Sequence, residues 1–323
     1  MKVVVLDDYQ GAVAGLGCLS LLERHEVAIL GDREREPAEV DGLLQEAEAL
    51  VPIRERTPVT EAFLERVPRL RLIAQTGRGV AHVDLAACTR RGVAVTVGDG
   101  SPVAPAELTF ALILAAVRHI PHEVAGLRAG RWQETVGTAL RGRTLGILGY
   151  GAIGSLVASY GAAFGMRVVV WGRETSLIRA REDGHAVTGS REAVFAEADV
   201  LSLHLKLTAE TKGIVTGTDL ARMKPTALLV NTARAELIVP GALARGLQEG
   251  RPGFAAVDVF EHEPARPGEE PLLALDNALC TPHLGFVEHD TYERYFADAF
   301  ARVAAFAAGS EIAVLNPEAL GRP

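Results

Sequence analysis

The stretch 144–173 constrains what this chain can fold into more than any other. A short apolar run, Leu145, Ile147 and Leu148, leads into Gly149-Tyr150-Gly151-Ala152-Ile153-Gly154. Apolar residues then recur at helical spacing (Ile153, Leu156, Val157, Tyr160, Ala163, Phe164), and a second apolar run follows from Arg167 to Trp171. The order is strand, tight turn, helix, strand. In that setting a G-x-G-x-x-G has a mechanical reading. Gly149 permits the turn, Gly151 lets the backbone approach a pyrophosphate, and Gly154 lets helix and strand pack closely. The free amides of the helix N-terminus, those of Ala152 and Ile153 included, then face the phosphates. The alternative is a tight turn that binds nothing.

The end of the second strand bears on which dinucleotide is bound. NAD sites usually place Asp or Glu about 20 residues past the motif, whereas a nearby Arg suits a 2′-phosphate. Here Gly172 stands 23 residues past Gly149, and Arg173 follows at once. We read NADP(H) as preferred and NAD(H) as possible. In the alternative, Arg173 is a solvated turn residue and Glu174 takes the ribose.

A length of 323 residues suggests two domains, each with its own core. The net charge of −8 and the absence of a basic block argue against nucleic acid or anionic membrane as partners. Cys18, Cys88 and Cys280 have no C-x-x-C spacing, so neither a metal site nor a disulfide framework is expected. With no leader pattern and no apolar run of about 18 residues, the expected location is cytoplasmic.

Along the first part, apolar runs at 3–6, 27–30, 49–53, 70–74 and 93–97 alternate with helical stretches such as 38–48 and 60–67. Such alternation favours a parallel sheet covered on both faces. Ser101-Pro102 and Pro105 break the pattern before an apolar helix at 106–117. After the central unit come strands at 198–205, 227–231, 254–257 and 278–280, then a helical tail at 291–308 expected to return to the first domain. The fold class is α/β with two doubly wound parallel-sheet domains. The domain reading is 1–98 for the substrate domain, 99–286 for the NAD(P)-binding domain, and 287–323 for the returning helix.

In open parallel sheets, ligands sit beyond the carboxyl ends of the strands. Past those ends lie Thr232-Ala233-Arg234, then Asp258 to Glu263, then Thr281-Pro282-His283-Leu284-Gly285. Hydride transfer to a carbonyl needs a proton donor, a cation that polarises the carbonyl and holds a carboxylate, and a neighbour that tunes the donor. Imidazole suits the first role because it ordinarily titrates near neutrality. Arg suits the second through its planar, permanently charged fork. Singly, His283 reads as a turn histidine, Arg234 as a surface ion-pair residue and Glu263 as a solvated acid; together they read as redox machinery.

These motifs, with 140–154, 198–207 and Glu210-Thr211, Met223-Lys224, Asn231 to Arg234 and 256–264, resemble the D-isomer-specific 2-hydroxyacid dehydrogenases nearly end to end. The resemblance implies a Rossmann-type cofactor domain inserted into a discontinuous flavodoxin-like substrate domain, a cleft that closes over its ligands, and a homodimer formed through the cofactor domains. It implies Arg234 as the substrate arginine, His283 as general acid/base, and Glu263 as the acid paired with it. Asp258 matches the acid that contacts the nicotinamide carboxamide, and His204, Leu205, Lys206, Thr211, Thr232, Ala233, His283 and Gly285 fall beside the cofactor. Arg78, Gly79 and Val80 match the loop whose amides hold the substrate carboxylate.

The chain departs from the family at Gly172, at Lys206 (usually Pro) and at Ala235 (usually Gly). Phe286 and Val287 stand where small residues are common. Arg54 resembles a basic strand end that meets the substrate's far side in phosphoglycerate dehydrogenases; a pairing with Glu55 or Glu61 is the other reading. The implied function is hydride transfer between NADP(H) and a small 2-keto acid, with hydroxypyruvate and glyoxylate first. The alternatives are a dinucleotide-sensing corepressor-like protein on the same fold and an NAD-dependent phosphoglycerate dehydrogenase-like enzyme. A formate dehydrogenase reading is weaker, because those enzymes carry Gln where Glu263 stands.

Overall fold

Val3, Val4, Val5 and Leu6 run without a polar interruption, so a strand built from them must be covered on both faces. The computed structural model, which describes residues 1–31 and 36–321, places all four below 5 % exposure in β1 (Lys2–Asp8). The first of two units contains residues Met1–Ser101 and Glu288–Pro323. Its sheet adds β2 (Glu26–Gly31), β3 (Ala49–Val51), β4 (Leu72–Gln75) and β5 (Ala94–Val97), all parallel, in the order β2-β1-β3-β4-β5. That is the flavodoxin-like order, whose switch point lies between β1 and β3. Helices α1 (Pro37–Glu46), α2 (Glu61–Glu65) and α3 (Leu85–Arg90) connect the strands. Thr60 and Asp84 cap the last two by accepting from Phe63 N and Ala87 N.

The second unit is Pro102–Val287. It opens with α4 (Val103–Val117) and α5 (Ile120–Arg128). The two units divide at the expected break, after Ser101, and the helix begins at Val103, three residues before the expected Ala106. Pro102 is the N-cap and Pro105 lies in the first turn, where the N–H that proline lacks would have had no partner within the helix. The strands follow as β6 (Thr144–Leu148), β7 (Arg167–Trp171), β8 (Ala186–Val187), β9 (Val200–Leu203), β10 (Leu228–Asn231), β11 (Phe254–Val257) and β12 (Ala278–Cys280). All are parallel, in the order β12-β11-β10-β9-β6-β7-β8. The order reverses between β6 and β9, so the G-x-G-x-x-G turn lies at the switch point.

Alternation along the strands sorts side chains into two cores. Leu145, Ile147, Val168, Val170, Leu228 and Val230 face α4 and α6 (Ala152–Ala163), packing on Phe110, Ile113, Val157 and Ala158. Leu148, Val169, Leu201, Leu203 and Leu229 face the opposite way. They pack on Phe195 of α8 (Arg191–Glu197), Leu220 of α9 (Gly217–Ala221) and Leu243 and Leu247 of α10 (Ala242–Gln248). Between β7 and β8 lies α7 (Glu174–Glu182).

Back in the first unit, α11 (His289–Ala307) buries Tyr292, Tyr295, Phe296, Ala299, Phe300 and Val303 on one stripe. It packs against β4 and the 3₁₀ turn Gly17–Leu22, and Glu288 caps it by accepting from Asp290 N and Thr291 N. Phe296 and Phe300 are at most 1 % exposed, a burial worth about 2–3 kcal/mol each.

Candidate active site

The turn after β6 is held by two glycines with different constraints. Gly149 has φ +96, and a Cβ there would fall 2.7 Å from the His204 carbonyl oxygen at the end of β9. A Cβ at Gly154 would fall 2.1 Å from the Gly149 carbonyl oxygen. Close packing accounts for both. Gly151, the N-cap of α6, is in ordinary extended backbone (φ −93, ψ −164), and a Cβ there would meet nothing within 4 Å. No contact inside the protein requires glycine at that position. The helix ladder begins with Ser155 N donating to Gly151 O, which leaves the amides of Ala152, Ile153 and Gly154 directed at that open space. Oriented amides, a helix N-terminus and room for close approach fit a pyrophosphate.

At the end of β7, a Cβ on Gly172 would lie 3.6 Å from Ser176 Cβ and 3.8 Å from Gly149 Cα, which is ordinary contact. Crowding therefore does not forbid an acidic side chain there. Arg173 is exposed, caps α7 with its backbone only, and its guanidinium has no partner among the described residues. Glu174 points along the helix to Arg181, Nη1 to Oε1 3.4 Å.

His204 follows β9, its Nε2 2.9 Å from Ser202 Oγ, and burial pushes its imidazole down to about 4. Lys206 is exposed, and its carbonyl accepts from Thr211 Oγ1 at 2.6 Å. Thr211 also accepts from Thr208 N, so its hydroxyl closes this loop on itself. Thr232 Oγ1 lies 2.6 Å from Thr109 Oγ1 of α4, tying the loop after β10 to that helix.

Arg234, Glu263 and His283 stand on the loops after three neighbouring strands, β10, β11 and β12. His283 Nδ1 is 2.7 Å from Glu263 Oε2, and the two side chains are 24 % and 34 % exposed. Glu263 Oε1 accepts from Phe260 N at 3.0 Å, so both carboxylate oxygens are committed. His283 has φ +51, an unfavourable conformation for a residue with a Cβ, which costs of order 1 kcal/mol and aims the ring. Phe286 packs edge-on against the imidazole at 5.4 Å. The Nε2 atom has no partner among the described residues. Arg234 is half-buried, with Nη1 donating to Ala233 O at 2.7 Å. Asn231 accepts from Ala233 N and donates to Arg234 O, so it shapes the backbone under the arginine.

Asp258 is fully buried, and burial raises its carboxyl while three donors oppose that. These are Thr281 Oγ1 at 2.6 Å, Leu284 N at 2.8 Å and Gly285 N at 2.9 Å. Its carboxylate thus staples the His283 turn to the end of β11. This pinning of the turn, like the shaping role of Asn231, rests on bonds between distant loops, and residue spacing carries no signal for it.

In the first unit, Gly77 has φ +76 and a Cβ there would fall 2.1 Å from Arg54 Nη1. The N–H groups of Gly77, Arg78, Gly79 and Val80 donate to nothing among the described residues. A run of free amides of this kind is suited to an anion. The Arg78 side chain pairs instead with Asp99, at 2.5 Å. Arg54 lies beside Glu55, Nη2 to Oε2 3.6 Å, while Glu61 pairs with Arg90 and Arg91. Among the described residues no three His, Cys, Asp or Glu side chains are grouped to hold a metal.

The family model for the D-isomer specific 2-hydroxyacid dehydrogenase, NAD binding domain, matches residues 110–285. The chain is 41 % identical over 257 residues to a glyoxylate reductase from Aeropyrum pernix, covering 76 % of each chain. It is 38 % identical over 245 residues to a D-3-phosphoglycerate dehydrogenase from Methanocaldococcus jannaschii, covering 75 % of this chain but 46 % of that protein. An oxidoreductase crystal structure from Ralstonia solanacearum superposes with a TM-score of 0.95 at 51 % identity, covering 100 % of this chain and 98 % of that one.

Proposed function

The chain belongs to the D-isomer-specific 2-hydroxyacid dehydrogenases, and from that premise we propose that it reduces a small 2-keto acid to the D-2-hydroxy acid with NADP(H). Hydroxypyruvate and glyoxylate are the first substrates to consider. The bound nicotinamide supplies the hydride. Glu263 fixes the imidazole through Nδ1 and leaves Nε2 to deliver a proton to the carbonyl oxygen as it becomes an alcohol. Arg234 presents a charged fork that polarises the carbonyl and holds the carboxylate. Within the first unit, the amides of Arg78, Gly79 and Val80 are suited to an anion such as a carboxylate. The 2.7 Å His283–Glu263 bond carries this reading, because it orients a proton donor on the same rim as an arginine and an open phosphate turn.

Three observations support the choice of NADP(H): a glycine at 172 that packing does not demand, an Arg173 with no partner among the described residues, and a Glu174 turned toward Arg181. Exposed Ile120, Val124 and Leu127 of α5, with Trp132 at 75 % and Val136 at 94 %, support a homodimer through the second unit. Free cysteines are compatible with work in the cytoplasm.

The test is loss of reduced-nicotinamide absorbance with NADPH or NADH and a panel of 2-keto acids. A kcat/KM ratio of NADPH to NADH above one supports the cofactor assignment, and a ratio below one removes it. Failure to reduce any 2-keto acid removes the reaction assignment.

A further inference from the structure

Within the second unit, the first turn of α7 and the glycine turn after β6 meet over Gly172. Gly172 is half-buried, and a Cβ there would touch Ser176 Cβ at 3.6 Å and Gly149 Cα at 3.8 Å. Ser176 is 8 % exposed and faces that bare side, and its hydroxyl has no hydrogen-bond partner among the described residues. The N–H groups of Glu174 and Thr175 open the helix and have no carbonyl within it to donate to. Arg179 stands six residues past Arg173, about 9 Å along the axis, and long helical side chains lean back toward the N-terminus. Its Nη2 donates to Tyr150 O at 2.9 Å, which seats the guanidinium on the glycine turn, one residue from Gly149. Its other N–H groups have no partner among the described residues. Arg173 and Arg179 are both exposed, and neither is paired with a carboxylate among the described residues. The acids at the two ends of α7 are committed elsewhere: Glu174 to Arg181 at 3.4 Å, and Asp183 to the Tyr150 hydroxyl at 2.6 Å.

We propose that Arg179, together with Arg173 and Ser176, forms the seat of a 2′-phosphate on the adenosine ribose, and that Arg179 is a specificity-determining residue for NADPH over NADH. This rests on the NADP(H) reading above. A phosphate monoester carries a charge of about −1.5 to −2 at pH 7 and presents three acceptor oxygens. Arg173 alone would leave part of that charge uncompensated. A second guanidinium, a hydroxyl and the open amides of α7 supply donors for the remaining oxygens. Ribose hydroxyls call instead for an acid at the strand end, and Gly172 offers none. The bond to Tyr150 O holds Arg179 in place before the ligand arrives, so less side-chain freedom is lost on binding.

The test is calorimetric titration of NADPH and of NADH into the wild type and into Arg179→Gln. The substitution should weaken NADPH by about tenfold or more and leave NADH, which lacks the phosphate, within about twofold. A loss shared equally by the two cofactors assigns Arg179 to holding the Tyr150 turn and overturns the proposal, and so does an affinity that does not move for either. Ser176→Ala removes one neutral donor and should weaken NADPH, and not NADH, by about threefold or more. It serves as the second test if Arg179→Gln does not fold, and an unchanged NADPH-to-NADH ratio there counts equally against the proposal. A wild type that prefers NADPH by a ratio the substitution leaves intact overturns the seat and leaves the NADP(H) reading standing. A wild type that binds NADH more tightly than NADPH overturns the reading beneath it.

Discussion

Two glycine-to-alanine substitutions three residues apart should have opposite consequences. At Gly154 the new Cβ would lie 2.1 Å from the Gly149 carbonyl oxygen. Relief requires α6 to shift roughly 1 Å against β6, an overpacking cost of about 2–3 kcal/mol. For a unit of this size the melting temperature should fall by roughly 5–10 °C. At Gly151 the Cβ meets nothing within 4 Å and the backbone is extended. Gly151→Ala should therefore be neutral, or stabilise by about 0.5 kcal/mol through loss of unfolded-state freedom. The same methyl takes up the space a pyrophosphate needs to reach the amides of Ala152 and Ile153. Losing one such charge-assisted hydrogen bond costs about 2 kcal/mol, or roughly thirtyfold in Kd. Calorimetric titration of NADPH into folded Gly151→Ala reads this directly. Wild-type affinity in that variant would refute the placement of the phosphates.

Arg173→Glu should invert or abolish the preference for NADPH over NADH, lowering the kcat/KM ratio by about a hundredfold; an unmoved ratio removes Arg173 from the ribose end. His204 titrates at about 4 in the fold against 6.5 when exposed, so the unfolded chain binds the extra proton between those values. Acidification through that window is destabilising, by about 2 kcal/mol between pH 7 and pH 5, and urea unfolding of His204→Gln should show that much less loss than the wild type. Asp258→Ala leaves the Leu284 and Gly285 amides unpaired and the Thr281 hydroxyl with only the long contact to Val257 O at 3.5 Å. It should cost about 3 kcal/mol in denaturant unfolding and lower kcat/KM by at least about tenfold as the His283 turn loosens.

The second unit was legible because its strands are unbroken apolar runs with turn residues at their ends. The segments 254–257 and 278–280 match β11 and β12. By contrast β8 is two residues after a polar helix, too short for any periodic signal. Pro102 and Pro105 interrupt the apolar pattern, yet proline also starts helices, and only the observed position in the first turn shows where the helix begins. At the site, residue type and placement after strand ends marked Arg234, Glu263 and His283. Nothing local marked the pinning role of Asp258, because it depends on what distant loops bring. Arg54 carried two readings in the sequence. Its place between Glu55 and Gly77 is set by the left-handed backbone at Arg54 itself and by a loop more than twenty residues on.

The most direct measurement of the central claim is steady-state reduction of a 2-keto acid by His283→Asn, with cofactor affinity measured on the same preparation. Turnover should fall by at least about a thousandfold, since the proton donor that Glu263 orients on the rim is gone. The cofactor Kd should stay within about threefold of wild type, since the phosphate turn lies on different strands. A kcat within tenfold of wild type would contradict the assignment of His283 as the proton donor.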